Sequence, residues 1–279
     1  MARRIDKIAA SQLARKLKLE SRVRPKLIRF FNQIGRDIKV VWSATGNVPV
    51  LSSFEAELVV LLREHYRIVA KSFNREVQKE AKHFNIALEA KNSQESIDNN
   101  IIDYISGHSV AQAGIILGTT TKELQKIMSA VLLNSSLSET PLSQLQIGKE
   151  IQRRFVDSTG GRVETISITE TNTVAERIKN IESEAFASQL AQAGQQLINT
   201  WNTTLDEKTR VAHVQADRQD RRQGRAFNVG GELLRYPGDM SLGASIGNTI
   251  NCRCASVASI SGKPIALDPS SPLISTRLN

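Results

Sequence analysis

Cysteine is nearly absent from this chain, whose 279 residues contain only Cys252 and Cys254, with Arg253 between them. A disulfide that closed so small a loop would be strained, so the pair does not form a disulfide framework. The sequence also contains no apolar run of about 18 residues, the length that a helix needs to span a bilayer. We therefore expect no membrane anchor. The basic N-terminal stretch lacks the apolar segment of a signal peptide, so we expect synthesis in the cytoplasm.

Aromatic residues make up only 5% of the chain, so the core is expected to be mostly aliphatic. The chain is long enough for two domains or one large one. It contains no GxGxxG, P-loop or GxSxG sequence, which are the motifs of dinucleotide-binding proteins, P-loop nucleotide hydrolases and serine hydrolases. The motifs of these enzyme classes are therefore missing.

Positive charge is concentrated at the N-terminus. Residues 1–39 contain twelve Lys and Arg against three Asp and Glu, an excess that equals the net charge of +9 of the whole chain. So concentrated a basic segment favours contact with a polyanion such as DNA, or with an acidic protein surface. The alternative is a solvated helical face without a partner. The residues predicted to make this contact are Arg15, Lys16, Lys18, Arg22 and Arg24.

Apolar residues recur every three to four positions over roughly the first two hundred residues, the period of amphipathic helices. Pro25 suits the start of a second helix. The longest helical pattern runs from Phe54 to about Glu89, and His65 falls on its apolar face. A histidine in such a position is more often a hydrogen-bonded core residue than a metal ligand.

Further helix boundaries are predicted from local signals. Thr120 opens a capping-box sequence, so a helix is expected to begin there. The pair Gly160-Gly161 is expected to end another helix. Ile166 and Ile168 alternate with polar residues like a strand, although the sequence that follows is helical in period.

The pattern changes after Gly194. A strand-like stretch around Trp201 precedes a short helix predicted from Asp206 to about Gln215, and a hairpin is predicted around a Gly230-Gly231 turn. A last strand is expected from 250 to 257. The predicted fold class is α+β: a mostly helical N-terminal body followed by a small α+β C-terminal module with a hairpin and a terminal strand. The predicted segments are a basic helical segment at 1–45, a helical body at 50–195, the α+β module at 196–262 and an irregular tail at 263–279.

An ordered set of short sequences runs through the C-terminal module. It begins with W201-N-T-T-L-D206-E-K-T-R210-V-A-H213-V-Q-A-D217, continues with F227-N-V-G-G and Y236-P-G-D239, and closes with N251-C-R-C254. This order and spacing resemble the phage Mu F-like family, the minor head or head-morphogenesis proteins of tailed bacteriophages. Upstream, the Thr-Glu-Thr at 169–171 is similar to a Thr-Glu step that precedes the family's module, so the resemblance covers roughly 110–260. The residues that carry the motif are Asp206, Arg210, His213, Asp217, Asp239 and Arg253.

The resemblance implies a structural protein of the virion, located inside the head near the portal vertex. Its implied partners are the portal protein, other head proteins and packaged DNA, and its implied role is head morphogenesis or DNA delivery. The basic N-terminal segment agrees with a position beside DNA. No catalytic activity is implied.

Two other functions stay open at this stage. The family's module is similar to the ADP-ribosyltransferase fold, whose sites use an Arg, a Ser-bearing strand and a catalytic Glu. Three residues could fill that set, Arg162, Ser167 and Glu170, but all three lie within a stretch of nine residues. The other alternative is a stand-alone DNA-binding module, for which the basic segment is the only support.

The two cysteines raise the question of a metal. Two positions apart on a predicted strand, Cys252 and Cys254 share a face, and His213 and Asp217, four apart on a predicted helix, share another. Together they would form a zinc site with soft ligands. The alternative is that the cysteines pack as small apolar residues while Asp206, Arg210 and His213 brace the loop. Because the fourth ligand is a guess, we favour the packing interpretation over zinc. Both interpretations place His213 near a cysteine.

Overall fold

The computed structural model describes residues 2–83, 91–192 and 194–261. Four long helices come first: α1 Ala2–Thr45, α2 Glu55–His83, α3 Lys91–Ser136 and α4 Gln144–Gln192, with a short 3-10 helix at Leu51–Phe54 before α2. No helix in the described ranges is long and apolar enough to cross a membrane. The tail predicted at 263–279 lies outside the described residues.

The C-terminal module follows α4. Its elements are β1 Gln196–Asn202, α5 Val211–Ala216, β2 Asp220–Arg222, β3 Phe227–Val229, β4 Glu232–Leu234, α6 Ile246–Thr249 and β5 Ala255–Ser261. The strands β2, β1 and β5 form an antiparallel sheet in that order, and β3 and β4 form a separate hairpin. The predicted fold class, a helical body followed by a small α+β module with a hairpin and a terminal strand, is confirmed.

The chain divides into two compact units that are each discontinuous in sequence. One comprises the residues up to Glu20, Arg67–Asp103 and the chain from Ile166 onward; the other comprises Ser21–Tyr66 and Tyr104–Thr165. The predicted segments follow chain order, whereas these units do not. We call them the motif unit, which holds the whole C-terminal module, and the helical unit.

The helical unit has an aliphatic and aromatic core. Its fully buried residues include Phe31 and Ile34 of α1, Leu58 and Leu62 of α2, and Ile151 of α4. They recur at helical spacing because one face of each helix is apolar. His65 is also buried, as predicted for a core histidine.

Three predicted helix boundaries were wrong, because each helix continues through its local signal. Pro25 lies inside α1, and the hydroxyl of Thr120 donates to the Ile116 carbonyl 2.6 Å away within α3 instead of capping a helix. Gly160-Gly161 lies inside α4, at a cost of about 1 kcal/mol for each glycine. The apolar faces that flank these positions are buried over long stretches, and their burial outweighs these local costs.

Other element predictions were partly wrong. The segment with Ile166 and Ile168 is helical, as part of α4. The pattern from Phe54 corresponds to α2, which the structure describes to His83, and α1, α3 and α4 are all longer. The short helix α5 spans only Val211–Ala216, and the last strand covers Ala255–Ser261, so both cysteines precede it.

Candidate metal centre

The module closes around a small buried core. Trp201, Phe227, Val229 and Leu234 pack in it with Cys252, Cys254 and two alanines, Ala216 and Ala244. The Trp201 ring meets Phe227 edge to face and also meets the His213 ring, with centroids 5.3 and 5.8 Å apart. Two aromatic residues, Trp201 and Phe227, thus pack in the same core as the cysteines.

His213, Cys252 and Cys254 form one buried cluster. Their ligand atoms lie within 4.8 Å of one another. Nδ1 of His213 is 3.3 Å from Sγ of Cys254 and 3.7 Å from Sγ of Cys252. A zinc ion with ordinary Zn–S and Zn–N bonds and tetrahedral angles separates N and S by about 3.5 Å. The three side chains therefore could hold a metal such as zinc, and the expectation that His213 lies near a cysteine is confirmed.

Local backbone geometry brings these three residues together. Arg210 directly precedes α5, and its Nη2 donates to the carbonyl of Ile250 at 2.6 Å, which joins the start of the helix to the cysteine segment. The hydroxyl of Thr203 donates to the carbonyl of His213 at 2.8 Å. Asn251, directly before Cys252, has a φ of +54°, a left-handed conformation that asparagine tolerates better than most residues.

The two thiols differ in acidity. The hydrogen bond from the Cys254 thiol, followed by the contact with His213, lowers the pKa of Cys252 well below its ordinary value despite burial. The hydrogen bond to Cys252, together with burial, raises the pKa of Cys254 well above its ordinary value. The hydrogen bond between the two thiols therefore favours ionisation of Cys252 over that of Cys254. A thiolate is the form of cysteine that binds a metal.

Asp217 does not join the cluster, so the predicted fourth ligand was wrong. The helix ends at Ala216, and Asp217 follows it with a ψ of 136°, outside helical geometry. Its carboxylate is bonded to the segment before the helix, where Oδ1 accepts a hydrogen bond from the backbone N–H of Thr203 at 2.8 Å. Within the described ranges, no fourth His, Cys, Asp or Glu belongs to the cluster.

The remaining motif residues have structural contacts. The carboxylate of Asp206 accepts hydrogen bonds from the Lys208 N–H and the Thr209 hydroxyl, both in the turn that Asp206 begins. The buried Asp239 accepts from the N–H groups of Arg235 and Ser241 at 2.8 and 2.9 Å. Arg253 pairs with Glu20 at 3.1 Å.

The Pro-Gly-Asp turn packs directly on α4. Gly238 has a φ of +89°, and a Cβ atom at this position would lie 2.8 Å from the hydroxyl oxygen of Thr173. Both the backbone conformation and the close approach therefore require glycine. Four residues earlier on α4, the Thr169 hydroxyl accepts a hydrogen bond from the N–H of Asn251 at 3.0 Å.

A buried ionic network ties α1 and α4 to the cysteine segment. Nζ of Lys16 bonds to Glu176 at 2.7 Å, to Asn172 at 2.6 Å and to the carbonyl of Cys254 at 3.1 Å. Nζ of Lys179 lies 2.7 Å from the same Glu176 oxygen and donates to the Ser256 carbonyl at 2.8 Å. Burial alone would raise the pKa of Glu176, but the two lysines lower it below its ordinary value.

Lys16 was therefore wrongly assigned to an exposed basic surface, because it is 1% exposed and its charge is used inside the unit. Of the other predicted contact residues, Arg15 donates to the carbonyl of Ser72 at 2.7 Å, and Arg24 lies 3.8 Å from Glu164. Lys18 and Arg22 are exposed. The helix α1 thus presents only part of its basic charge to solvent.

Sequence reasoning missed Glu176 and Lys179. The available signal was their spacing, since a Glu and a Lys three residues apart on a helix can pair. Their burial was not predictable from it, because the face of α4 that holds them also holds the polar residues Asn172, Asn180 and Ser183, all of them buried.

The set proposed for an ADP-ribosyltransferase site lies on a single helix, α4. Ser167 and Glu170 are buried, and Arg162 donates to the carbonyl of Ile116. The strand-borne arrangement that such sites use is therefore not formed by these residues.

Comparisons with protein families, with characterised proteins and with solved structures found no match to this chain.

Proposed function

We propose that this chain is a minor structural protein of a tailed-phage head, associated with the portal vertex and packaged DNA and acting in head morphogenesis or DNA delivery. The support is the ordered motif and the contacts between its parts. The Thr-Glu-Thr stretch contacts the Asn-Cys-Arg-Cys stretch through Thr169 and Asn251, and His213 contacts both cysteines. Residues that are far apart in the sequence are thus joined in one assembly.

The motif residues have a scaffold role in this proposal, without catalysis. His213 and both cysteines are at most 3% exposed, so a substrate would not reach them. The charged groups nearby belong to Lys16, Glu176 and Lys179. They bond to one another, and the two lysines also donate to backbone carbonyls. The module is joined by these bonds to the two long helices α1 and α4.

Packaged DNA is the proposed partner of α1. Arg22, Arg29 and Arg36 are exposed and recur every seven residues. They therefore lie on one side of the helix, about 10.5 Å apart. We call these three residues the arginine row. A row of this kind fits the phosphate backbone, whose contacts carry no sequence information.

Zinc is the metal that we propose for the cluster. Two thiolates and an imidazole are soft ligands, and zinc favours them in buried structural sites. The Nδ1–Sγ distances of 3.3 and 3.7 Å lie on either side of the separation expected in a zinc tetrahedron. The alternative is that the reduced cysteines only fill space beside Trp201. Metal analysis of the purified chain separates the two.

Co-expression with a portal protein encoded in the same genome tests the functional proposal. We expect the chain to co-purify with portal assemblies, and a Gly238→Ala variant to co-purify less, because its module is distorted. A Gly231→Ala variant is the matched control, since its φ of +87° is similar but no atom lies near the added Cβ. Absence of the chain from every portal and capsid fraction would contradict the proposal.

A further inference from the structure

The motif unit contains a cleft that none of the motif residues lines. It lies between the C-terminal part of α4 and the strands β1 and β2, with a volume of about 350 Å³. Pockets that hold small ligands have volumes of this order. Three arginines line it, Arg222, Arg225 and Arg235, against one acidic residue, Glu184. The cleft is therefore suited to an anion.

Two buried polar atoms in this cleft lack hydrogen-bond partners among the described residues. They are Nε of Arg235, a donor, and Oε1 of Gln196, an acceptor. Buried polar groups are satisfied in the great majority of cases, so each unmet group needs an explanation. A ligand with an anionic oxygen for Arg235 and a hydroxyl for Gln196 would satisfy both.

The lining also excludes some ligand classes. No aromatic residue is among the described residues that line the cleft, so a nucleobase would find no stacking surface. The apolar part is limited to Ala187, Ala191 and Leu197, too little for a lipid chain or an aromatic ligand. The remaining side chains, such as Ser188 and Gln223, offer hydrogen bonds to a polar ligand.

We propose that this cleft binds a phosphate monoester that also carries a hydroxyl group, such as a sugar phosphate. Arg222, Arg225 and Arg235 surround the phosphate, and Gln196 accepts a hydrogen bond from the hydroxyl. Arginine is suited to this task, because its planar fork can donate two hydrogen bonds to one phosphate. The phosphate monoester occurs both in free sugar phosphates, which also supply the hydroxyl, and at the 5′ end of a DNA strand, whose terminal sugar has no free hydroxyl for Gln196.

Glu184 is compatible with an anionic ligand. Its Oε1 lies 3.7 Å from Nη1 of Arg177. Burial raises the pKa of Glu184 above its ordinary value, against the opposing effect of Arg177 and Arg235. The ion pair with Arg177 partly offsets the repulsion that this carboxylate would exert on a phosphate.

Isothermal titration of the full chain with ribose 5-phosphate tests the proposal. We expect a Kd of about 1 mM or below, with inorganic phosphate weaker because it lacks the sugar hydroxyls, and no heat from ribose alone. Arg235→Gln and Arg222→Gln should each weaken binding about tenfold, through loss of charge-assisted hydrogen bonds. Lys208→Gln, which removes one exposed positive charge outside the cleft, should bind like the wild type. Unchanged melting temperatures show that the variants are folded, and Arg222→Gln provides a second cleft variant if Arg235→Gln unfolds.

Oligothymidylate with and without a 5′-phosphate distinguishes the two sources. Tighter binding of the phosphorylated strand, lost in Arg222→Gln, assigns the site to a DNA end; binding of ribose 5-phosphate alone assigns it to a small molecule. The proposal is overturned if the wild type binds neither probe at millimolar concentration. It is also overturned if Lys208→Gln weakens binding as much as the two cleft variants.

Discussion

Glu176 is a buried carboxylate that neutralises two buried lysines. It is 0% exposed, and both Lys16 and Lys179 have an ammonium 2.7 Å from its Oε1. Glu176→Gln would leave two buried cations without a counter-charge. We expect it to lower the free energy of unfolding by about 3–5 kcal/mol, measured by urea titration.

Glu150→Gln is the control for this prediction. Glu150 also pairs with two basic residues, Arg153 and Arg154, but at a solvent-exposed site where ion pairs contribute little. We expect a loss below about 1 kcal/mol. Equal losses in the two variants would show that Glu176 has no special role in stability.

The cysteine cluster is predicted to hold one zinc ion in the purified protein. Purified wild-type protein should contain one zinc per chain by elemental analysis, and Cys252→Ser and His213→Ala should lose the metal and melt at lower temperature. Zinc should also be released as the pH falls, because the ligands must be deprotonated. Asp217→Asn should keep the metal, since its carboxylate is bonded to Thr203.

Two results would decide against zinc. Metal-free wild-type protein of full stability would leave only the packing of reduced thiols. Loss of zinc in Asp217→Asn together with the cysteine variants would mean that Asp217 is a ligand after all, contrary to its position in the structure.

At the scale of single elements, α2 offers a matched pair of positions. Leu62 is 1% exposed in the core of the helical unit, whereas Val60, two residues earlier, is 65% exposed. Leu62→Asp would bury an unpaired carboxylate, so we expect a loss of at least about 3 kcal/mol in urea titration. Val60→Asp should change stability by about 0.5 kcal/mol or less. If both variants unfold alike, the buried face of α2 has been assigned to the wrong side.

Helix existence was predictable from the sequence, and helix length was not. The spacing of apolar residues indicated each helix, but Pro25, Thr120 and Gly160-Gly161 are local signals worth a few kcal/mol at most. Each was outweighed by the continuous burial of the flanking apolar face. Burial by partners distant in the sequence is what a local pattern does not contain, which is why these boundaries were missed.

The cluster itself was partly predictable at the scale of the whole molecule. Cys252 and Cys254 stood out because the chain has no other cysteine, and His213 because it falls in the same ordered motif. The fourth position failed because the carboxylate of Asp217 bonds to the N–H of Thr203 instead of joining the cluster. Lys16 failed for a different reason: net charge shows how many cations a segment carries, but not which one is buried.

Binding of DNA by the arginine row is the prediction for the assembled chain. Replacing Arg22, Arg29 and Arg36 with Gln should weaken duplex binding and reduce the slope of log K against log salt by about 2.7, if each contacts one phosphate. Replacing the exposed Lys122, Lys126 and Lys149 with Gln removes the same charge elsewhere in the helical unit and should change the slope far less. Equal effects would mean that only total charge matters.

The location of the chain in assembled particles tests the proposed function most directly. Particles of the phage or prophage that encodes it would be purified, treated with protease and analysed by quantitative mass spectrometry, before and after the heads are opened. A minor head protein predicts that peptides of this chain are present at a few copies per particle and are protected until the heads are opened. Purified DNA-filled particles that contain no peptide of this chain, while the infected cell does, would contradict the account.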